Sequence, residues 1–171
     1  MNQKLKLQIA LLGLLLAANM AVASAQQITF QATDGKTVSA AELKGKLVVL
    51  SFGATWVPLA AKELPALQKL ADRYAPRGVQ VYWVSINSVK AGGKNFMTDA
   101  DLAAFAEKRG FHAPVLRDPE QAVYRAFAVD ALPTIVILGK DGKVAHKHVG
   151  FDPDQGEAYG AVMKELDQLL K

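Results

Sequence analysis

Apolar residues along the chain fall alternately into short continuous runs and longer stretches with helical spacing, which predicts a layered α/β domain. Leu47 to Phe52 is a short apolar run and reads as a buried central strand. The chain then turns through Gly53 and Thr55, and a helix is expected from Pro58, since proline suits the first helical position. Leu59, Leu64, Leu67, Leu70, Ala71 and Tyr74 recur at spacings of mostly three and four, forming one apolar stripe. Pro65 falls inside that stripe, and Ala75-Pro76-Arg77-Gly78 ends it.

Other elements follow from the same signals. Ile28 to Ala32 predicts a short strand, Asp34-Gly35-Lys36 a turn, and Val38 a second short strand. Ser39 and Glu42 have capping-box spacing, which opens one helical turn ending at Gly45. Val79 to Asn87 reads as a strand and Ser88 to Thr98 as a loop holding Gly92-Gly93. Asp99 to Arg109 is expected as a helix with Leu102, Phe105 and Ala106 inward. A short strand begins at Val115-Leu116, and a helix opens at Asp118-Pro119. Ile135 to Leu138 and Val144 to Val149 read as a hairpin around Lys140-Asp-Gly-Lys143. Asp154 to Leu170 reads as a closing helix. The order β-α-β-α-β-β-α implies a mixed sheet covered on both faces.

Residues 1–25 read as a secretory signal peptide. Lys4 and Lys6 supply the basic start, Ile9 to Ala18 the apolar run, and Ala23-Ser24-Ala25 the cleavage site. The run is short for a membrane span, so no stable span is expected after cleavage; a retained anchor is the alternative. With no cysteine there, lipoprotein processing is excluded. A periplasmic or secreted location follows, with residues 26–171 as one domain.

Composition then narrows the chemistry. The formal charge of +4 over 171 residues falls to +2 when Lys4 and Lys6 are removed. No basic cluster with interleaved aromatics accompanies it, so nucleic acid is not an expected partner. The chain contains no cysteine. An exported protein is permitted disulfides, but this one must rely on packing. Thiol catalysis, cysteine zinc sites and thiol switching are excluded.

The segment Ala54-Thr55-Trp56-Val57-Pro58-Leu59-Ala60-Ala61-Lys62-Glu63-Leu64-Pro65 resembles the Ala-Thr-Trp-Cys-x-x-Cys-x-x-Glu-x-Pro stretch of TlpA/ResA-like thioredoxins, extracytoplasmic thiol–disulfide oxidoreductases. Ala54, Thr55, Trp56, Pro58, Glu63 and Pro65 match, while Val57 and Ala60 replace the two cysteines. Because the interior proline belongs to the pattern, Pro65 is read as a kink within the helix. Val129 to Thr134 with the strand and turn after it is the second matching piece. The resemblance extends over nearly all of residues 28–170. It implies a thioredoxin fold, a mixed central sheet flanked by helices on both faces, and a cis bond before Pro133 close to Val57 and Ala60.

Thiol exchange needs an attacking thiolate and a resolving thiol, and Val57 and Ala60 can be neither. Two readings of the site stand: a degenerate one filled with small apolar residues, or a polypeptide-binding groove formed by Trp56, Val57, Pro58, Leu59 and Ala60 with Leu132, Pro133 and Thr134. Glu63 matches a glutamate that in the family tunes the cysteines. Without them it is expected as a helix-surface residue or structural acceptor, with no nucleophile to serve. An enzyme alternative, a redoxin acting without cysteine, has no mechanism in these residues. A copper-carrier alternative rests on His146 and His148, which alternation places on one strand face, with His112 or Met97 as further ligands. Solvent-exposed strand histidines are the simpler expectation. No cofactor is expected. Asp99, Asp101, Asp152 and Asp154 read as acids at helix N-termini.

Overall fold

A computed structural model describes residues 28–154 and 157–171. The expected signal peptide lies outside the described residues. Strands β1 (Thr29–Ala32) and β2 (Thr37–Ser39) form the N-terminal hairpin, followed by the single turn α1 (Ala40–Leu43). Ser39 and Glu42 form the capping box with both reciprocal bonds. Strand β3 (Leu47–Gly53) leads to α2 (Ala60–Tyr74) and a 3-10 turn at Ala75–Arg77. Then come β4 (Val79–Ser85), α3 (Asp99–Glu107), β5 (Val115–Arg117), α4 (Ala122–Ala126), β6 (Thr134–Leu138), β7 (Val144–Val149) and α5 (Gly160–Leu169).

The strands make one seven-stranded sheet in the order β2-β1-β5-β4-β3-β6-β7. The β3–β4 and β4–β5 pairs are parallel, and the remaining pairs antiparallel. Every residue of β3 is buried, as a strand covered on both faces requires. Alternation sorts its side chains. Leu47 and Val49 join one core with Leu64, Leu67 and Leu70 of α2, Leu102 of α3 and Val162 and Leu166 of α5. Val48, Leu50 and Phe52 join a second core with Leu43 of α1 and Val123 of α4. Gly53 ends β3 against Trp83, where a Cβ would collide with the indole Nε1.

Several boundaries differ from the sequence reading: the helix expected at Asp118-Pro119 begins at Ala122, after Asp118 accepts from the Val123 and Tyr124 N–H groups, and α3 ends at Glu107 instead of Arg109. Helix α2 begins at Ala60, not Pro58, because the chain first makes two tight turns. The Val57 N–H donates to the Ala54 carbonyl (3.1 Å), and the Ala60 N–H to the Val57 carbonyl (3.0 Å). Helix α2 does continue through Pro65. Strand β4 stops at Ser85, because the Asn87 N–H turns back onto the Ser85 hydroxyl (3.2 Å). Helix α5 begins at Gly160 instead of Asp154. Tyr159 has a non-helical backbone (φ −122°, ψ 28°) and its ring is in the core, which prevents an earlier start. Residues 155–156 of that expected helix lie outside the described residues.

Candidate functional site

The site lies where parallel β3 ends and α2 begins. The turn between them carries Trp56, which is 43% exposed, and Pro58, also exposed. Val57 and Leu59 are half-buried, and Ala60 is buried under the first turn of α2. Leu59 is the N-cap and supplies no side-chain hydrogen bond to the helix. Opposite, the Leu132–Pro133 peptide is cis. Leu132 is half-buried and packs, like Val57, on the second core. Among the described residues its N–H and C=O take no main-chain hydrogen bond. The Pro133 carbonyl is already taken by the Gly150 N–H (2.8 Å), and the Thr134 hydroxyl donates to the Ala131 carbonyl (2.8 Å). Ala60, Pro133 and Thr134 are therefore buried support, and Trp56, Val57, Pro58, Leu59 and Leu132 form the accessible surface.

Glu63 is not on the helix surface: it is completely buried in the first turn of α2. Alternation along β3 turns Ser51 to the α2 face, where its hydroxyl donates to Glu63 Oε1. The Tyr159 hydroxyl donates to the same oxygen at 3.0 Å, while Oε2 has no partner. Burial pushes the Glu63 carboxyl from the ordinary 4.5 up to about 7, against the pull of those two hydroxyl bonds. Burial, and then the adjacent Glu63 carboxylate, raise the Tyr159 phenol. No cation faces this cluster within hydrogen-bond reach among the described residues.

A second polar centre supports the turn from the other side. Asn87 is fully buried at the end of β4. Its Oδ1 accepts from the Thr55 N–H (3.0 Å) and the Ser85 hydroxyl (2.9 Å). Its Nδ2 donates to Thr55 Oγ1 (2.8 Å) and to the Asn95 carbonyl (3.2 Å). This uses the whole hydrogen-bonding capacity of an amide side chain, and the Thr55 N–H dictates which way the amide points.

The model of the AhpC/TSA family matches residues 22–147, most of the chain. The chain belongs to the AhpC/TSA family. It is 32% identical over 117 residues to the thiol-disulfide oxidoreductase ResA of Bacillus cereus, covering 68% of this chain and 62% of that protein's length. The ResA of Halalkalibacterium halodurans is 26% identical over 155 residues, covering 90% and 80%. Among solved structures, the exposed lipoprotein thioredoxin Etrx1 of Streptococcus pneumoniae superposes with a TM-score of 0.62. It is 28% identical, over 81% of this chain and 98% of that one. The thioredoxin-like fold and the redoxin membership expected from the sequence are thus shown.

The two positions that the resemblance matches to the cysteine pair lie at the start of α2. Position 57 is half-accessible at the mouth of α2 and position 60 is buried one turn inside, and neither carries sulfur. The strand histidines also sit differently from the expectation. His146 and His148 share a face, but both are half-buried, and His148 lies edge-on to Tyr159 with centroids 6.3 Å apart. Burial, and then His146, lower the His148 pKa. No group of three or more His, Cys, Asp or Glu converges among the described residues. His112 is exposed beyond α3, with its main chain held by Gln68 (2.7 Å), and the Met97 carbonyl is held by Arg117 (3.0 Å). In the sequence Ser51, Asn87 and Arg117 carry no expected role, and Tyr159 only a place on the apolar face of the closing helix. A hydroxyl inside a run of buried aliphatics was the signal for Ser51; Asn87 and Arg117 had none.

Proposed function

We propose that this AhpC/TSA-family protein is an extracytoplasmic, non-catalytic polypeptide-binding or accessory module, with residues 26–171 as its folded part. The observation that carries the reading is the pairing of an intact redoxin frame with Val57 and Ala60 at its two reactive positions. Neither side chain can attack a disulfide, leave as a thiolate or carry electrons. What remains is a surface suited to an extended chain. Trp56 and Pro58 are exposed on either side of Val57, which packs on the same core as Leu132, and the Leu132 N–H and C=O take no main-chain bond and can pair with a bound backbone, as in strand addition. The relatives' activity, thiol–disulfide oxidoreduction, supports the polypeptide class of the ligand, and the similarity to an exposed lipoprotein thioredoxin supports the location. The segment at residues 1–25 supports export.

Two measurements test this. The protein is expected not to accelerate insulin reduction by dithiothreitol, while Val57→Cys with Ala60→Cys is expected to do so. The double variant places one thiol at the accessible helix start and one beneath it, next to Glu63. Insulin reduction by the cysteine-free chain would overturn the reading. Separately, reduced and carboxymethylated lactalbumin, an unfolded probe, is expected to shift the emission of Trp56. Trp83 is wholly buried against Phe105 (5.9 Å) and contributes a constant background.

A further inference from the structure

The loop between β4 and α3, residues 86–98, is organised more tightly than its sequence suggests. Its neck is closed by the Ser88 N–H donating to the Asn95 carbonyl (3.1 Å) and the Met97 N–H donating to the Ser88 carbonyl (3.0 Å). Both sides of the neck converge on Arg117, a buried guanidinium at the end of β5. Its Nη2 donates to the carbonyls of Asn87 (3.3 Å), Ser88 (3.3 Å) and Met97 (3.0 Å), and its Nη1 pairs with Asp99 (2.5 Å). The tip that this neck presents, Val89 to Lys94, contains two lysines and no acid. Val89 is 50% exposed, and with Trp56 it is one of the exposed large hydrophobic residues. None of the ion pairs among the described residues uses Lys90 or Lys94.

Asn87 ties the base of this loop to the site. One amide group donates to both Thr55 and the Asn95 carbonyl. It therefore joins the residue immediately before Trp56 to the residue immediately after Lys94.

We propose that the Val89–Lys94 tip is the second wall of the polypeptide site, selecting an extended segment that carries an acidic residue close to the apolar residue seated on Trp56. This rests on the polypeptide-binding reading above and adds the chemistry of the partner. The charge around the site favours that occupant. The tip contributes Lys90 and Lys94, both exposed, and no acid. A segment with its acid toward the tip satisfies the lysines, and one with a lysine there is repelled. Asn87 is the positioning residue, since it sets the distance between the two walls.

The test uses two synthetic twelve-residue peptides, identical in their apolar positions, one with aspartates and one with lysines at the remaining charged positions. Both are titrated against the full chain, read by Trp56 emission, at low and high salt. The acidic peptide is expected to bind about fivefold more tightly at low salt, as a pair of exposed ion contacts allows. The preference should vanish in high salt and in the Lys90→Ala, Lys94→Ala double variant, whose exposed tip positions leave the core untouched. Equal binding of both peptides, unchanged in the double variant, would overturn this assignment and leave the polypeptide-binding reading standing. Binding of neither peptide, nor of unfolded lactalbumin, would overturn both.

Discussion

Glu63 is a carboxyl held where water does not reach, with one oxygen accepting two hydroxyls and the other accepting none. Ionising it costs more in the folded chain than in the unfolded one, which is why its pKa rises to about 7. The sign follows directly. Below about pH 4.5 the group is protonated in both states and contributes no difference. Between 4.5 and 7 only the folded state keeps the proton, so stability falls as pH rises across that window. Above 7 the penalty is full, on the order of 3 kcal/mol. Glu63→Gln keeps the shape and removes the titration. It is expected to melt higher than the parent at pH 8 and to lose the decline between pH 5 and 7, as thermal melts across that range will show. The sequence showed a glutamate in a helix. It did not show that Ser51 and Tyr159, 12 and 96 residues away, would enclose it.

At the level of elements, the junction of β3 and α2 is set by what surrounds it. The expected helix start at Pro58 gave way to a pair of tight turns, held from outside by Asn87. Asn87→Ala removes the acceptor of the half-buried Thr55 N–H and of the buried Ser85 hydroxyl. It is expected to cost about 2 kcal/mol or more and to shift the Trp56 emission even in the folded state, measured by denaturant titration and by spectra without denaturant. Leu59→Asp acts differently. It forfeits about 1 kcal/mol of half-buried apolar surface but adds a carboxylate at the positive end of the helix dipole, a gain of about 0.3–1 kcal/mol. A cooperative melt within a few degrees of the parent is expected, together with weaker binding of unfolded lactalbumin. Loss of the cooperative melt would place Leu59 in the core.

The molecule as a whole is held by two cores pressed onto the faces of one sheet, with no covalent crosslink. Its cooperativity comes from burial alone. Dithiothreitol is therefore expected to leave the melting temperature unchanged in the parent, whereas the Val57→Cys, Ala60→Cys variant, once oxidised, should shift on reduction. The β1–β2 hairpin shows how the whole differs from its parts. Local turn signals placed both strands, yet β1 finds its second partner in β5, more than 80 residues on. The order of strands in a sheet is a matter of long-range pairing, which leaves no periodic mark in the sequence.

Periodicity, capping and turn residues act locally, so the strand and helix sequence, the Ser39–Glu42 box and the Lys140–Lys143 hairpin were legible in the chain, while the passage of α2 through Pro65 was expected from the family resemblance. So was the loss of thiol chemistry, because absence of a sulfur atom needs no geometry. Tertiary structure alone decided which polar groups would be buried and joined. The carboxyl of Glu63, the amide of Asn87 and the guanidinium of Arg117 each collect partners from segments distant in sequence. Once removed from water, such groups must satisfy their hydrogen bonds wherever the fold supplies a partner. That choice of partners set the start of α2, the pKa of Glu63 and the tie between Thr55 and the Asn95 end of the 86–98 loop.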